Sequence, residues 1–202
     1  MRVCAMAACA VVAAGMVLTG CGPAAPATSG TPTVVGTGPT AAATPLCTPE
    51  SGGSATPCTQ QQYEEMKKLD ALYAEAEDVY RRFVAEDVKL LHSGGLAEGP
   101  VLDLIAGPMV DRYSARRKEQ HAVQVTMTGD LKISFVERLP GRTHEGSEVA
   151  LFSCLDGSGM TGFGPTGKNL GSGDVVAYNT YFKRVDKTLK IWWDEGQKVA
   201  SC

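Results

Sequence analysis

Apolar residues recur three or four positions apart from Met66 through Leu69, Tyr73, Ala76, Tyr80, Phe83, Val84 and Val88 to Leu91, the stripe of one long α-helix. Glu64, Lys67, Lys68, Glu75, Glu77, Arg81, Arg82 and Glu86 fall between them and form a solvated face. Thr59-x-x-Gln62 fits a capping box, in which the hydroxyl accepts an orphan N–H and the glutamine reaches back. Order is therefore expected to begin at Thr59, and Gly94-Gly95 ends the helix. A second helix is expected from Pro100, with Val101, Leu102, Leu104 and Ile105 apolar and a break or kink at Gly107-Pro108. Met109, Val110 and Tyr113 continue its stripe, and Arg116-Arg117-Lys118 load its last turn, where cations suit the helix dipole.

After His121 the period changes to two. Val123, Val125 and Met127 alternate with Gln124, Thr126 and Thr128, and Gly129-Asp130 reads as a turn into Leu131, Ile133 and Phe135, ending near Arg138. Further strands are expected at 148–155, 174–185 and 188–194, with residues 198–202 extending the last past a kink at Gly196. Residues 156–173 read as a Gly-rich loop. Helices followed by an antiparallel meander make an α+β fold.

The N-terminus reads differently. Arg2 precedes an apolar stretch from Val3 to Leu18, short of the roughly 20 residues of a membrane span. Leu18-Thr19-Gly20-Cys21 has the form of a lipobox, with small residues beside a thiol that is acylated before cleavage. Residues 1–20 are thus expected to be a lipoprotein signal peptide, and Cys21 the lipidation site on the extracytoplasmic face of the cell membrane. Several acyl chains, at about 0.8 kcal/mol per buried CH₂, hold a protein on a bilayer where a single chain does not. From 21 to 58 the chain is mostly Ala, Thr, Pro, Gly and Ser, a composition expected to form a disordered tether with a disulfide loop at its end. Residues 59–202 form the folded domain.

Of seven cysteines, Cys4 and Cys9 leave with the leader and Cys21 takes lipid. Cys47, Cys58, Cys154 and Cys202 remain, and four cysteines allow three pairings. The favoured set is Cys47–Cys58, local across a Pro/Gly/Ser loop, with Cys154–Cys202, which ties an inner strand to the frayable chain end. No Cys-x-x-Cys spacing supports zinc. The formal charge is −3, and one unit more negative without Arg2, so charge gives no support for nucleic acid as a partner.

Two N-terminal helices packed on a strongly bent antiparallel sheet of about five strands resemble the nuclear transport factor 2-like superfamily, a cone-shaped α+β fold. More narrowly, Ala-Glu-Ala-Glu-Asp-Val-Tyr-Arg-Arg-Phe (74–83), Ser153-Cys154-Leu155-Asp156 and Ile191-Trp192-Trp193 before a terminal cysteine resemble envelope lipoproteins of high-GC Gram-positive bacteria. The resemblance covers roughly residues 60–202 and implies a fold and a compartment, not one activity. It also implies pairing of an inner-strand cysteine with the last one. The Gly-rich insertion and the long first helix depart from the plain pattern.

Chemical motifs are sparse. Gly162 to Asn169 satisfies G-x-x-x-x-G-K, but Asn169 replaces the Ser or Thr that holds Mg²⁺, and loop follows where a helix is required. His92, His121 and His144 show no metal-ligand spacing, and neither a metal nor another cofactor is expected. His121 with Asp174 is the best candidate for a general-base pair in a cavity. Ser158 lacks a nucleophile elbow. Glu137, Asp156, Asp174 and Asp194 lie at strand ends, where acids are usually solvated. Strict alternation puts Leu189, Ile191 and Trp193 on the core face and turns Trp192 outward with Lys190 and Asp194. Trp192 then either docks a partner or a second copy through the sheet face, or packs beneath the C-terminal segment. Tyr178, Tyr181 and Phe182 serve either role.

The expected function is a non-enzymatic, lipid-anchored binding or protein-interaction module for a small apolar ligand or an envelope protein. The alternatives are a small hydrolase or isomerase using the His121/Asp174 pair, and a phage-type exclusion or structural envelope lipoprotein.

Overall fold

The computed structural model describes residues 44–202. The expected leader at 1–20, the expected lipidation site Cys21 and the expected tether as far as residue 43 lie outside the described residues. Order begins before Thr59, contrary to the composition-based expectation. Strands β1 (Leu46–Cys47) and β2 (Thr56–Pro57) form a short antiparallel ribbon closed by the Cys47–Cys58 disulfide. Two contacts seat it on the following helix. The Tyr73 hydroxyl donates to Glu50 Oε1 at 2.6 Å, and the Thr48 N–H lies 3.2 Å from Met66 Sδ. A covalent ring and these anchors order a segment whose composition alone would leave it loose.

Helix α1 (Gln60–Ser93) starts at the expected capping box: Thr59 Oγ1 accepts from the Gln62 N–H at 3.2 Å, and Gln62 Oε1 accepts from the Thr59 N–H at 2.9 Å. It ends at Gly94, whose φ of 65° is the left-handed C-cap. Ion pairs Glu77–Arg81 and Asp78–Arg82 run along its exposed side. Its central stripe, Tyr73, Ala76, Val79, Tyr80, Phe83 and Val84, is buried.

The second expected helix is two. Helix α2 (Pro100–Asp103) is a single turn and α3 (Pro108–Ala122) is the long piece. Between them the chain is extended at Ile105, which bridges Ile191 in parallel; the Ile191 N–H donates to Leu104 O and the Ala106 N–H to Ile191 O, both at 2.9 Å. Gly107, with φ 56°, then turns the chain into α3.

The strands are β3 (Thr126–Gly129), β4 (Lys132–Arg138), β5 (Val149–Asp156), β6 (Met160–Phe163), β7 (Asn169–Ser172), β8 (Val175–Val185) and β9 (Thr188–Lys198). The main sheet has the order β4-β5-β8-β9 and a smaller one β3-β6-β7, all antiparallel. The expected hairpin of the first two strands does not form. Gly129-Asp130 passes the chain between sheets, and β3 pairs with β6 from the Gly-rich insertion, which supplies a hairpin of its own. The P-loop-like residues 162–169 are that hairpin, with no helix after them.

On the inner face of the main sheet Val149, Leu151, Phe182, Leu189 and Ile191 pack against α1 and against Val101, Ile105, Met109 and Tyr113. Each such side chain contributes about 1.5–3 kcal/mol on burial. The Cys154–Cys202 disulfide forms as expected and closes over the other face, which Cys154 shares with Phe152 and Phe135. Arg184 grips Glu75 with two nitrogens, at 3.1 and 2.7 Å, and pins α1 to β8.

Candidate functional site

A single bulge decides which side chains line the interior. In the β8–β9 ladder Phe182 opposes Ile191 and Tyr181 opposes Trp193, so Trp192 is an extra, unpaired residue. A one-residue insertion reverses the face of everything beyond it. Leu189 and Ile191 are buried in the core as expected, but Trp193 turns to the outer face and Asp194 turns inward opposite Thr180. The expectation that Trp193 fills the core and Asp194 stays solvated is therefore corrected. Trp192 itself is half-buried, its ring against Gly107 and Lys183 Nζ 4.3 Å from its centroid.

On the outer face Trp193 lies between Arg112, whose guanidinium carbon is 4.6 Å from the ring centroid, and His144, stacked at 5.0 Å. Tyr181 joins this cluster 5.4 Å from His144 and is buried. Tyr178, also considered for docking, faces the interior space instead.

The interior holds an inner pocket and an outer cleft that share Asp87, Arg116, Leu155 and Tyr178. The inner pocket lies between Tyr80, Phe83, Met109, Thr180, Ile191 and Asp194, and its free volume of about 30 Å³ suits one or two waters. The outer cleft is open and much larger, about 410 Å³, within the size range of small-molecule sites. Its apolar walls are Leu91 of α1, Val125 and Met127 around β3, Leu131, Leu155, Val176, and Leu170 of the β6–β7 hairpin, and Arg117, Gln120, Ser172 and Asp174 also line it. Leu170 is 52% exposed at the rim.

Polar groups gather at the junction of pocket and cleft. Arg117 is 2% exposed and pairs with Asp87, whose Oδ1 also accepts from the Tyr113 hydroxyl at 2.6 Å. Burial disfavours the Arg117 charge, but the Asp87 carboxylate outweighs it and holds the guanidinium pKa above its ordinary value. Burial pushes the Tyr80, Tyr113 and Tyr178 hydroxyls up. Tyr80 accepts from Ser153 Oγ at 2.7 Å. Asp194 is 5% exposed, and burial pushes its carboxyl above the usual range, while Arg116 and Arg112 pull it back. Its Oδ1 lies 3.2 Å from Arg112 Nη1, off the N–H direction, and makes no hydrogen bond among the described residues. The Arg112 proton goes instead to the Asp194 carbonyl.

The His121/Asp174 pair does not assemble. His121 is exposed and its Nδ1 meets Gly94 O at 2.8 Å, whereas Asp174 pairs with Lys198 Nζ at 2.5 Å. Among the described residues no group of three or more His, Cys, Asp or Glu side chains is placed to hold a metal. No described helix is long and apolar enough to cross a membrane. Nothing in the sequence singles out Asp87, and Arg116 and Arg117 read there only as cations of a last helical turn; the helix faces that meet the sheet bring all three inside.

No family model matches the chain, and no curated protein matches it. Among solved structures the chain is similar to the intermembrane space region of the chloroplast protein ARC6, at 12% identity and a TM-score of 0.37. That likeness covers 57% of this chain and 95% of the other.

Proposed function

We propose that the chain is an extracytoplasmic, lipid-anchored binding module on a nuclear transport factor 2-like cone, and that its outer cleft holds a small apolar ligand. The cleft carries this reading. It is open, apolar along most of its wall, and large enough for a ligand of drug size. The compartment is supported by the lipobox at Leu18–Cys21 and by two disulfides, which persist in oxidising surroundings. Non-enzymatic binding is favoured over hydrolysis or isomerisation because His121 and Asp174 lie apart.

The ligand test uses the purified, disulfide-bonded full chain and dodecanol as a neutral apolar probe, followed by native mass spectrometry. A saturable one-to-one complex is expected, lost when Val176→Trp fills the cleft. Absence of a saturable complex in the parent chain sinks the reading. For the anchor, the mature protein is expected to carry an acyl adduct on Cys21, and Cys21→Ala is expected to leave the membrane fraction. An unacylated mature Cys21 sinks that part.

A further inference from the structure

Arg116 and Tyr178 face the cleft with their polar ends uncommitted. Arg116 forms no ion pair and no hydrogen bond among the described residues, although it lines both the inner pocket and the outer cleft. It is held there by Tyr113, fully buried, whose ring centroid lies 5.3 Å from its guanidinium carbon. The neighbouring cations are occupied: Arg117 by Asp87, and Arg112 by Asp194 and its carbonyl. No described carboxylate lies within ion-pair distance of Arg116; its charge acts on the buried Asp194 carboxyl only through space, together with that of Arg112. The Tyr178 hydroxyl, which also makes no hydrogen bond among the described residues, borders the same space. Beyond this polar end run Leu91, Met127, Leu131 and Leu155.

We propose that the cleft binds an anionic amphiphile, its single charged head held between the Arg116 guanidinium and the Tyr178 hydroxyl and its hydrocarbon tail laid along the apolar wall. This rests on the apolar-ligand reading above and adds the head group. A carboxylate and a phosphate ester both present the oxygen acceptors that a guanidinium fork matches. An anion also supplies the direct ion-pair partner that no described carboxylate gives Arg116. A neutral alcohol of equal chain length keeps the tail contacts and forfeits the charged hydrogen bonds.

The experiment compares dodecanol, dodecanoate and dodecyl phosphate on the purified full chain near neutral pH, with dissociation constants from native mass spectrometry. Both anions are expected to bind about tenfold or more tighter than dodecanol, the factor a charge-assisted hydrogen bond provides. Which anion binds tighter identifies the head. Arg116→Gln is expected to abolish the preference of the anions over dodecanol, and Arg116→Lys to restore part of it. Arg116 also lies over the Tyr113 ring, so thermal melting of both variants is recorded beside the binding. Equal binding of alcohol and anions by the parent chain overturns the proposal and leaves the neutral-ligand reading standing. A preference that survives Arg116→Gln overturns the assignment to Arg116. Failure of all three probes overturns both readings.

Discussion

The ring of Trp192 occupies the space beside the α-carbon of Gly107: a β-carbon on Gly107 would lie 2.3 Å from Trp192 Cζ3. Gly107 also has φ 56°, a conformation that costs an L-residue roughly 1–2 kcal/mol. Gly107→Ala is therefore expected to lose that amount and more, as the bulged indole is pushed off its seat. Trp192 is one of only two tryptophans. Thermal melting should show the destabilisation and intrinsic fluorescence a changed indole environment. A variant that melts with the parent would show that the α2–α3 turn and β9 are not coupled through this contact.

Asp194 makes the stability of the fold depend on pH in an uncommon direction for an acid. Burial raises its pKa in the folded chain, so ionising it works against folding. Its favourable contribution is complete below the unfolded carboxylate range, near about 3.9, and is lost as pH rises through the folded value. Asp194→Asn is thus expected to melt above the parent at neutral pH, with the difference shrinking as pH falls through the carboxylate range. Melting curves across that range check it; a variant less stable than the parent at neutral pH would mean that the Arg112 ion pair outweighs burial.

At the Asp87–Arg117 pair a buried charge is matched by its partner. Arg117 is buried, and its donors reach Asp87, the Tyr113 hydroxyl and Gln120. Asp87→Ala leaves that guanidinium uncompensated and is expected to cost about 3–5 kcal/mol. Denaturant unfolding measures it. A loss under 1 kcal/mol would show that water enters the cleft far enough to solvate Arg117.

The two disulfides differ in the loops they close. Chain entropy assigns about 4 kcal/mol to Cys154–Cys202, with a separation of 48, and about 3 kcal/mol to Cys47–Cys58, with a separation of 11. Replacing Cys154 and Cys202 by Ser together is expected to lower global stability more than the same change at Cys47 and Cys58. Hydrogen exchange after the second change should rise in the ribbon and first turn of α1 and stay low in β5 and β8. The reverse order in denaturant unfolding would contradict this.

Local signals were the most legible in the sequence. The capping box at Thr59 and Gln62, the α1 stripe, the Gly94 terminus and the Cys47–Cys58 bridge depend on nearby residues and formed as read; Cys154–Cys202, 48 residues apart, formed as expected because four cysteines leave few pairings. The bulge at Trp192 carries no residue signature, since neither glycine nor proline marks it, yet it exchanges the faces of Trp193 and Asp194. The pairing of β3 with β6 depends on a hairpin hidden in a Gly-rich stretch. The cleft suffered most. Asp87 and Arg116 belong to amphipathic helices on which charge ordinarily means solvent, and Asp194 sits inside only because of the bulge.

The ribbon before α1 has a mechanical consequence. A pull arriving from the N-terminal side enters at Cys47, crosses the sulfur–sulfur bond to Cys58, and reaches the helix through Thr59 one residue later. The intervening loop is short-circuited and carries no load. Glu50 thus keeps its hold on Tyr73 while the chain is under tension, and strain is delivered to a capped helix end by a covalent strut.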